Sequence, residues 1–390
     1  MQKKITLLLT VTVLSIINLM AQKTVSKNNK VNVKVHEPTE LLFTIYHLTP
    51  DAERFFKATK KQRDWVDDLS APLIAPYQPY KSHAAVEAFK NLAKAYNEWL
   101  PLLVNIGIQN ETMPLDTQCF QPDQETDYAQ AVRQFIKLAN DFYADTQFGE
   151  RFAANRAVSK GLEAEVAANL PNPAFFTTME SFYKKTFLSY NLYPSPLLPA
   201  GNGMGFGPHH KTPKGTKVFN VFCGIDRPNV HPQNILKEGV QFGFQNAEWV
   251  RNICTHEFGH SFVNEPLFVH RSEFNKYVHL QKPIKKAMKG QGYWYWDSIL
   301  AEHLVRVGEI LIAQKLGLTE VSESLYYDYY INRKFIYLPH FLEVMKPYES
   351  GVFTGTYIDF LPTIVESLAE IDALKALKDW KKAKKKGAIR

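Results

Sequence analysis

The chain has 390 residues, 45% apolar and 22% charged, a composition that suits a globular protein with a sizeable core and excludes a disordered one. The net charge of +7 is uneven: residues 371–390 carry eight Lys/Arg against two Asp, and residues 1–21 carry +2, which leaves the remainder at −1. A near-neutral body without a basic stripe excludes a nucleic-acid-binding surface, and three well-spaced cysteines, Cys119, Cys223 and Cys254, exclude a disulfide framework.

In chain order, Met1 to Ala21 reads as a secretory signal peptide. Lys3 and Lys4 form a basic start, Ile5 to Leu19 an apolar run, and Leu19-Met20-Ala21 a cleavage site before Gln22. The run is shorter than a membrane span, so the expected product is secreted or periplasmic, with no transmembrane anchor after cleavage. An uncleaved anchor is the alternative, and no cysteine follows the cleavage site to carry a lipid.

Residues 22–185 are expected to be mainly helical. Val31, Val33 and Val35 alternate with polar residues as in a strand, and Leu41 to Tyr46 continues as strand or helix. Ser82 to Leu100 and Thr126 to Ala144 carry helical signals, separated by proline-containing connections such as Pro72 to Pro79. Phe187 to Leu198 and Lys217 to Phe222, rich in aromatic and branched residues, are predicted strands. The glycines and His209-His210 between them predict a mobile loop whose histidines lie at the surface. Residues 371–390 continue a helical pattern (Leu368, Ile371, Leu374, Leu377) into a lysine cluster, read as a solvated tail.

Residues 186–370 hold the most informative stretch, His256-Glu257-Phe258-Gly259-His260. On a helix, positions i and i+4 share one face, so both imidazoles can grip one metal ion, and the glutamate between them can take a proton from metal-activated water. No Pro or Gly interrupts Asn246 to Thr255, and Trp249, Ile253, Phe258 and Phe262 read as apolar helix positions beside the metal-facing side. Asn246 is the expected N-cap, with Asn264 and Pro266 ending the helix. The competing reading is two ordinary histidines at helical spacing. Cys254, at i−2 from His256, points away and is expected to be buried packing.

A catalytic zinc site needs three protein ligands and an open position. Val263 and Pro266 stand where a metzincin would continue with glycine and histidine, which excludes that class. Glu302 is the leading third ligand. It lies on a predicted helix, roughly opposite the apolar stripe Leu300, Leu304, Val307 and Leu311, with Arg306 and Glu309 beside it. Two readings stay open. Glu302, Arg306 and Glu309 form either a solvated face of ion pairs or a ligand with its supporting groups. Rival ligands are His303, Glu265, His270 and Glu273.

The string HEFGHSFVN, followed about forty residues on by a glutamate in AEHLVRV, resembles the gluzincin class of zinc peptidases. More narrowly, the chain resembles the secreted bacterial domain-of-unknown-function family 4932, through Pro196 to Gly207, Lys217 to Gly224 and the motif helix. The resemblance covers about residues 185 to 350. It implies an α+β fold, mostly helical, with a small mixed or antiparallel sheet beside the HExxH helix, a thermolysin-like core. It implies His256, His260 and Glu302 as ligands of one Zn²⁺ and Glu257 as the base; it supplies no substrate.

The expected activity is hydrolysis of peptide bonds in a peptide or protein, with a lean toward endopeptidase because no acidic motif for a substrate amino terminus is visible. One strand within residues 187–224 is expected to bind extended substrate by main-chain hydrogen bonds. Oxyanion donors are sought among Tyr326, Tyr327, Tyr329, Tyr330, Tyr337 and Arg333. Trp294 and Trp296 line the cleft or anchor the Glu302 helix. The alternatives are a catalytically silent metallopeptidase-like binding protein of the cell envelope and a helical protein with an accidental motif.

Overall fold

The structure is a computed structural model that describes residues 30–50, 70–95, 99–120, 126–199, 203–225 and 241–387. The signal-peptide reading of Met1 to Ala21 lies outside the described residues.

Five strands form one small mixed sheet in an otherwise helical protein, an α+β architecture. β1 (Val31–Val33) runs parallel to β2 (Ser189–Pro194), and β2 runs parallel to β5 (Gly215–Phe222). On the other edge of β5, β3 (Gly205–Phe206) and β4 (His209–Thr212) pair antiparallel. The segment expected to be a mobile loop is thus partly a hairpin, and His209-His210 lie in a strand. β5 has an open edge there, and pairing satisfies backbone groups that a loop would leave to water.

The longer helices are α1 (Glu37–His47), α2 (Ala84–Ala95), α3 (Trp99–Gln109), α4 (Asp127–Asp145), α5 (Phe148–Ala154), α6 (Arg156–Ala168) and α7 (Ala174–Tyr183) before the sheet's central strands. After them come α8 (Ala247–Val269), α9 (Trp296–Lys315), α10 (Thr319–Tyr327), α11 (Leu338–Val344), α12 (Tyr357–Glu366) and α13 (Ala373–Gly387). Val31 to Leu48 therefore begins as a strand and continues as a helix. Thr126 caps α4, its hydroxyl accepting from the Ala129 amide.

Alternation along the strands divides the core in two. Tyr190, Leu192, Val218 and Phe222 face a core built from α6 to α9 and the C-terminal helices. Tyr193, Phe219 and Val221 face a second core built from α1 to α4. Both faces of the central strands are covered, which explains why every residue of β2 is buried. The tail helix α13 is mostly solvated, with Leu377, Trp380 and Ala383 packed back on the core.

α8 and α9 pack against each other under the sheet. Phe258 and Phe262 point from α8 into the aromatic layer of Tyr183 and Tyr190, with Phe262 stacked on Tyr183 at 4.4 Å. Gly259 turns toward α9, where a β-carbon would lie 3.2 Å from Val305. The small residue inside the motif permits the close approach that sets the two helices' functional faces side by side.

Candidate metal centre

Asn246 caps α8 as expected, its side chain accepting from the Trp249 amide. The helix does not end at Asn264 and Pro266 but runs to Val269. Pro266 stands one turn from the end, so its missing N–H costs a single helical bond, and burial of Pro266 and Leu267 offsets that loss. The extension has a consequence: Asn264 stays on the face of His256 and His260 and accepts at Oδ1 from Nδ1 of His260 at 3.2 Å.

Glu302 projects from α9 toward both imidazoles. Nε2 of His260 lies 3.3 Å from Nε2 of His256 and 3.3 Å from Oε1 of Glu302. Nε2 of His256 lies 3.8 Å from Oε2 of Glu302. Among the described residues, these three are the His/Cys/Asp/Glu group whose ligand atoms converge, all within 4.8 Å of one another, and they could hold a metal ion. The solvated-face reading of α9 is overturned: Glu302 is 7% exposed, Arg306 4% and Glu309 3%. Both helix faces are covered by packing, so the polar residues answer to one another rather than to water.

Arg306 ties the carboxylates together. Nη2 donates to Oε2 of Glu302 at 3.3 Å and Nη1 to Oε2 of Glu309 at 3.2 Å, while the guanidinium lies over the Tyr329 ring at 4.4 Å. Oε1 of Glu309 stands 3.6 Å from Nδ1 of His256, a buried atom with no hydrogen-bond partner. Each imidazole therefore has an oxygen behind Nδ1, Asn264 for one and Glu309 for the other. In the neutral rings this places the proton on Nδ1 and turns the Nε2 lone pair inward, as metal ligation requires.

The donor set fits zinc. Two nitrogens bound tetrahedrally at about 2.0–2.1 Å are about 3.3–3.4 Å apart, and the observed separation is 3.3 Å. Burial alone would raise the Glu302 pKa, but His256, His260 and Arg306 outweigh it and hold the carboxylate well below its usual range. Burial would lower the His260 pKa, yet Glu302 and Glu257 lift it to about 9.

Glu257 is 5% exposed, and its Oε1 lies 4.0 Å from Nε2 of His256. Burial pushes its pKa up, with His256 and His260 pulling the other way. The backbone of β3 and of the residue that follows it presses on Glu257: a β-carbon at Gly207 would lie 1.8 Å from the Glu257 carbonyl oxygen, and one at Gly205 3.0 Å from its Cγ. Those glycines place a strand directly above the glutamate.

The rival ligands are elsewhere. His303 is a core histidine; Nδ1 donates to the Ile299 carbonyl at 2.7 Å, and burial lowers its pKa to about 4. Glu265 pairs with Lys211 and His209, His270 follows the end of α8, and Glu273 is exposed. Cys254 is fully buried, and none of the three cysteines forms a disulfide.

A cleft of ≈ 850 Å³ opens over the centre, walled by Trp249 and Ile253 of α8, by residues 203–209, and by Tyr293, Tyr329 and Arg333. Of the expected oxyanion donors, only Tyr329 and Arg333 line it. Tyr326 and Tyr330 pack on each other, and the Tyr337 hydroxyl is engaged with the Leu280 carbonyl. Trp296 is buried and donates to the Phe274 carbonyl at 3.0 Å, anchoring α9, while Trp294 is exposed. Sequence reasoning missed Tyr293, which reaches the site from the irregular stretch before α9. It also took Asn264 for a helix terminator, although its i+4 spacing from His260 was a usable signal.

A largely buried His-His-Glu group on two packed helices, with an acidic residue beside it at the floor of a cleft, defines a candidate metal-centre protein. The chain belongs to the family described as Domain of unknown function (DUF4932), whose model matches residues 31–366. No curated protein and no solved structure matches it.

Proposed function

We propose that the chain is an exported, gluzincin-type zinc peptidase that hydrolyses peptide bonds. The observation that carries this reading is the convergence of His256, His260 and Glu302 within 4.8 Å, with Glu257 beside them on the cleft floor. Zinc held there supplies a Lewis acid for water and for a substrate carbonyl. The Met1 to Ala21 pattern supports export, and no described helix is long and apolar enough to cross a membrane.

Glu257 accepts the proton of the attacking water and delivers it to the leaving amine. A pKa raised by burial suits both roles, because the carboxylate is a stronger base and its acid returns the proton readily. The backbone of residues 203–207 offers a strand edge along the cleft for an extended peptide, the β-augmentation mode. Tyr293 supplies the oxyanion donor: burial lifts its pKa to about 12, so the phenol stays neutral, and its oxygen already accepts from Nη2 of Arg306 at 3.4 Å. Its own proton is thereby directed to a substrate oxygen.

Elemental analysis of purified protein tests the centre. One zinc per chain is expected in wild type, with strong loss in His260→Ala and Glu302→Gln. Wild type that holds no zinc after equilibration with excess metal would overturn the reading.

A further inference from the structure

Two arginines line the cleft. Arg306 is committed: its donors serve Glu302, Glu309 and Tyr293. Arg333 is held but not consumed. Nε donates to Oε1 of Gln291 at 2.9 Å, and Nε2 of Gln291 returns a bond to the Arg333 carbonyl at 2.8 Å. The guanidinium carbon lies 5.7 Å from the Tyr329 ring centroid and 5.8 Å from that of Phe335. Among the described residues, Nη1 and Nη2 of Arg333 have no hydrogen-bond partner. A planar fork fixed at Nε, braced by aromatic rings and left with two parallel donors is preorganised for a bidentate carboxylate.

Its position suits a substrate group next to the reacting bond. Arg306 and Arg333 lie 4.4 and 5.7 Å from the same Tyr329 centroid, so their guanidinium carbons are no more than about 10 Å apart. Arg306 in turn touches Glu302. Tyr293, the oxyanion donor, feels both arginines. Outside the candidate metal centre (His256, Glu257, His260 and Glu302) and Glu309, the titratable groups of the wall beside the arginines are Asp328, whose Oδ1 accepts from Asn332, His209, paired with Glu265, and the tyrosines Tyr293 and Tyr329. Among the described residues, no lysine lines the cleft.

We propose that Arg333 is a specificity residue that binds a substrate carboxylate, either the carboxy terminus of a peptide or an acidic side chain beside the scissile bond. This rests on the peptidase reading of the site, and it shifts the expectation away from an indiscriminate endopeptidase.

The test is calorimetric binding to zinc-loaded Glu257→Gln protein, which separates recognition from turnover. Three versions of one N-acetylated hexapeptide serve as probes: the free acid, the C-terminal amide, and the amide with one internal glutamate. The free acid or the glutamate peptide should bind about 10- to 100-fold more tightly than the plain amide. Whichever wins identifies the source of the carboxylate. The preference should collapse when Arg333→Met is added, a change that keeps the apolar stem against Tyr329 and Phe335. Equal binding of the three peptides, no binding of any, or a preference that survives Arg333→Met overturns the proposal. The comparison within unmutated Arg333 protein does not depend on the variant's folding. Cleavage of the same peptides by wild type reports separately on the peptidase reading.

Discussion

Oε1 of Glu309 stands 3.6 Å behind Nδ1 of His256, on the far side of the ring from the Nε2 that faces Glu302. Glu309 is also bound through Arg306 to Glu302, so one proposed ligand and the group behind another share one guanidinium. Orientation of the two helices' contributions is therefore a joint property. Removing Glu309 leaves Nδ1 of His256 unsupported and Arg306 with a surplus donor in a buried site. Glu309→Gln is expected to weaken zinc binding by about 10- to 100-fold without altering ligand identity. Competition with a chromophoric chelator measures this; unchanged affinity would show that Glu309 merely balances charge.

The proton on His260 should compete with metal. Glu302 lifts the pKa of this histidine from 6.5 to about 9 in the metal-free protein. Zinc must displace that proton, so affinity should rise about tenfold per pH unit between pH 7 and 8 and level off above about 9. The stability sign runs the other way. A raised folded-state pKa contributes stability that is complete below the unfolded value near 6.5 and is lost as pH rises through 9. The melting temperature of chelator-treated protein should fall over that window, and a flat profile would contradict the pairing.

Gly207→Ala should be costly. Its β-carbon would meet the backbone of Glu257, which cannot move without shifting α8. A loss of about 3 kcal/mol is expected, together with most of the activity, because β3 would lift from the glutamate. Thermal unfolding and turnover of the variant check this. Wild-type stability would mean the strand has room to yield.

Tyr293→Phe removes a proton donor and little volume. The expected result is a fall of about 10²-fold in kcat with KM and zinc content nearly unchanged. A change confined to KM would assign Tyr293 to binding instead.

Much of the site could be read in advance because helical spacing is local information. His256 and His260 share a face by arithmetic, Asn246 declares the cap, and the aromatic and branched residues of Phe187 to Leu198 and Lys217 to Phe222 mark strands. What spacing could not decide was whether Glu302, Arg306 and Glu309 look at water or at one another. That depends on how α9 is covered, which is set by segments far away in the chain. For the same reason Pro266 misled, since its cost is small one turn from a helix end and packing outweighs it. His209 and His210 gained a strand from the open edge of β5, and Tyr293 reached the cleft through tertiary packing that leaves no periodic trace.

The most direct test compares peptide cleavage by zinc-loaded wild type and zinc-loaded Glu257→Gln. Wild type should cleave, while the variant should keep one zinc per chain and lose at least about 10³-fold in kcat, because the metal stays and only the base is gone. Equal cleavage by the two proteins, or none by either, would contradict the assignment of Glu257 as the base of a zinc peptidase.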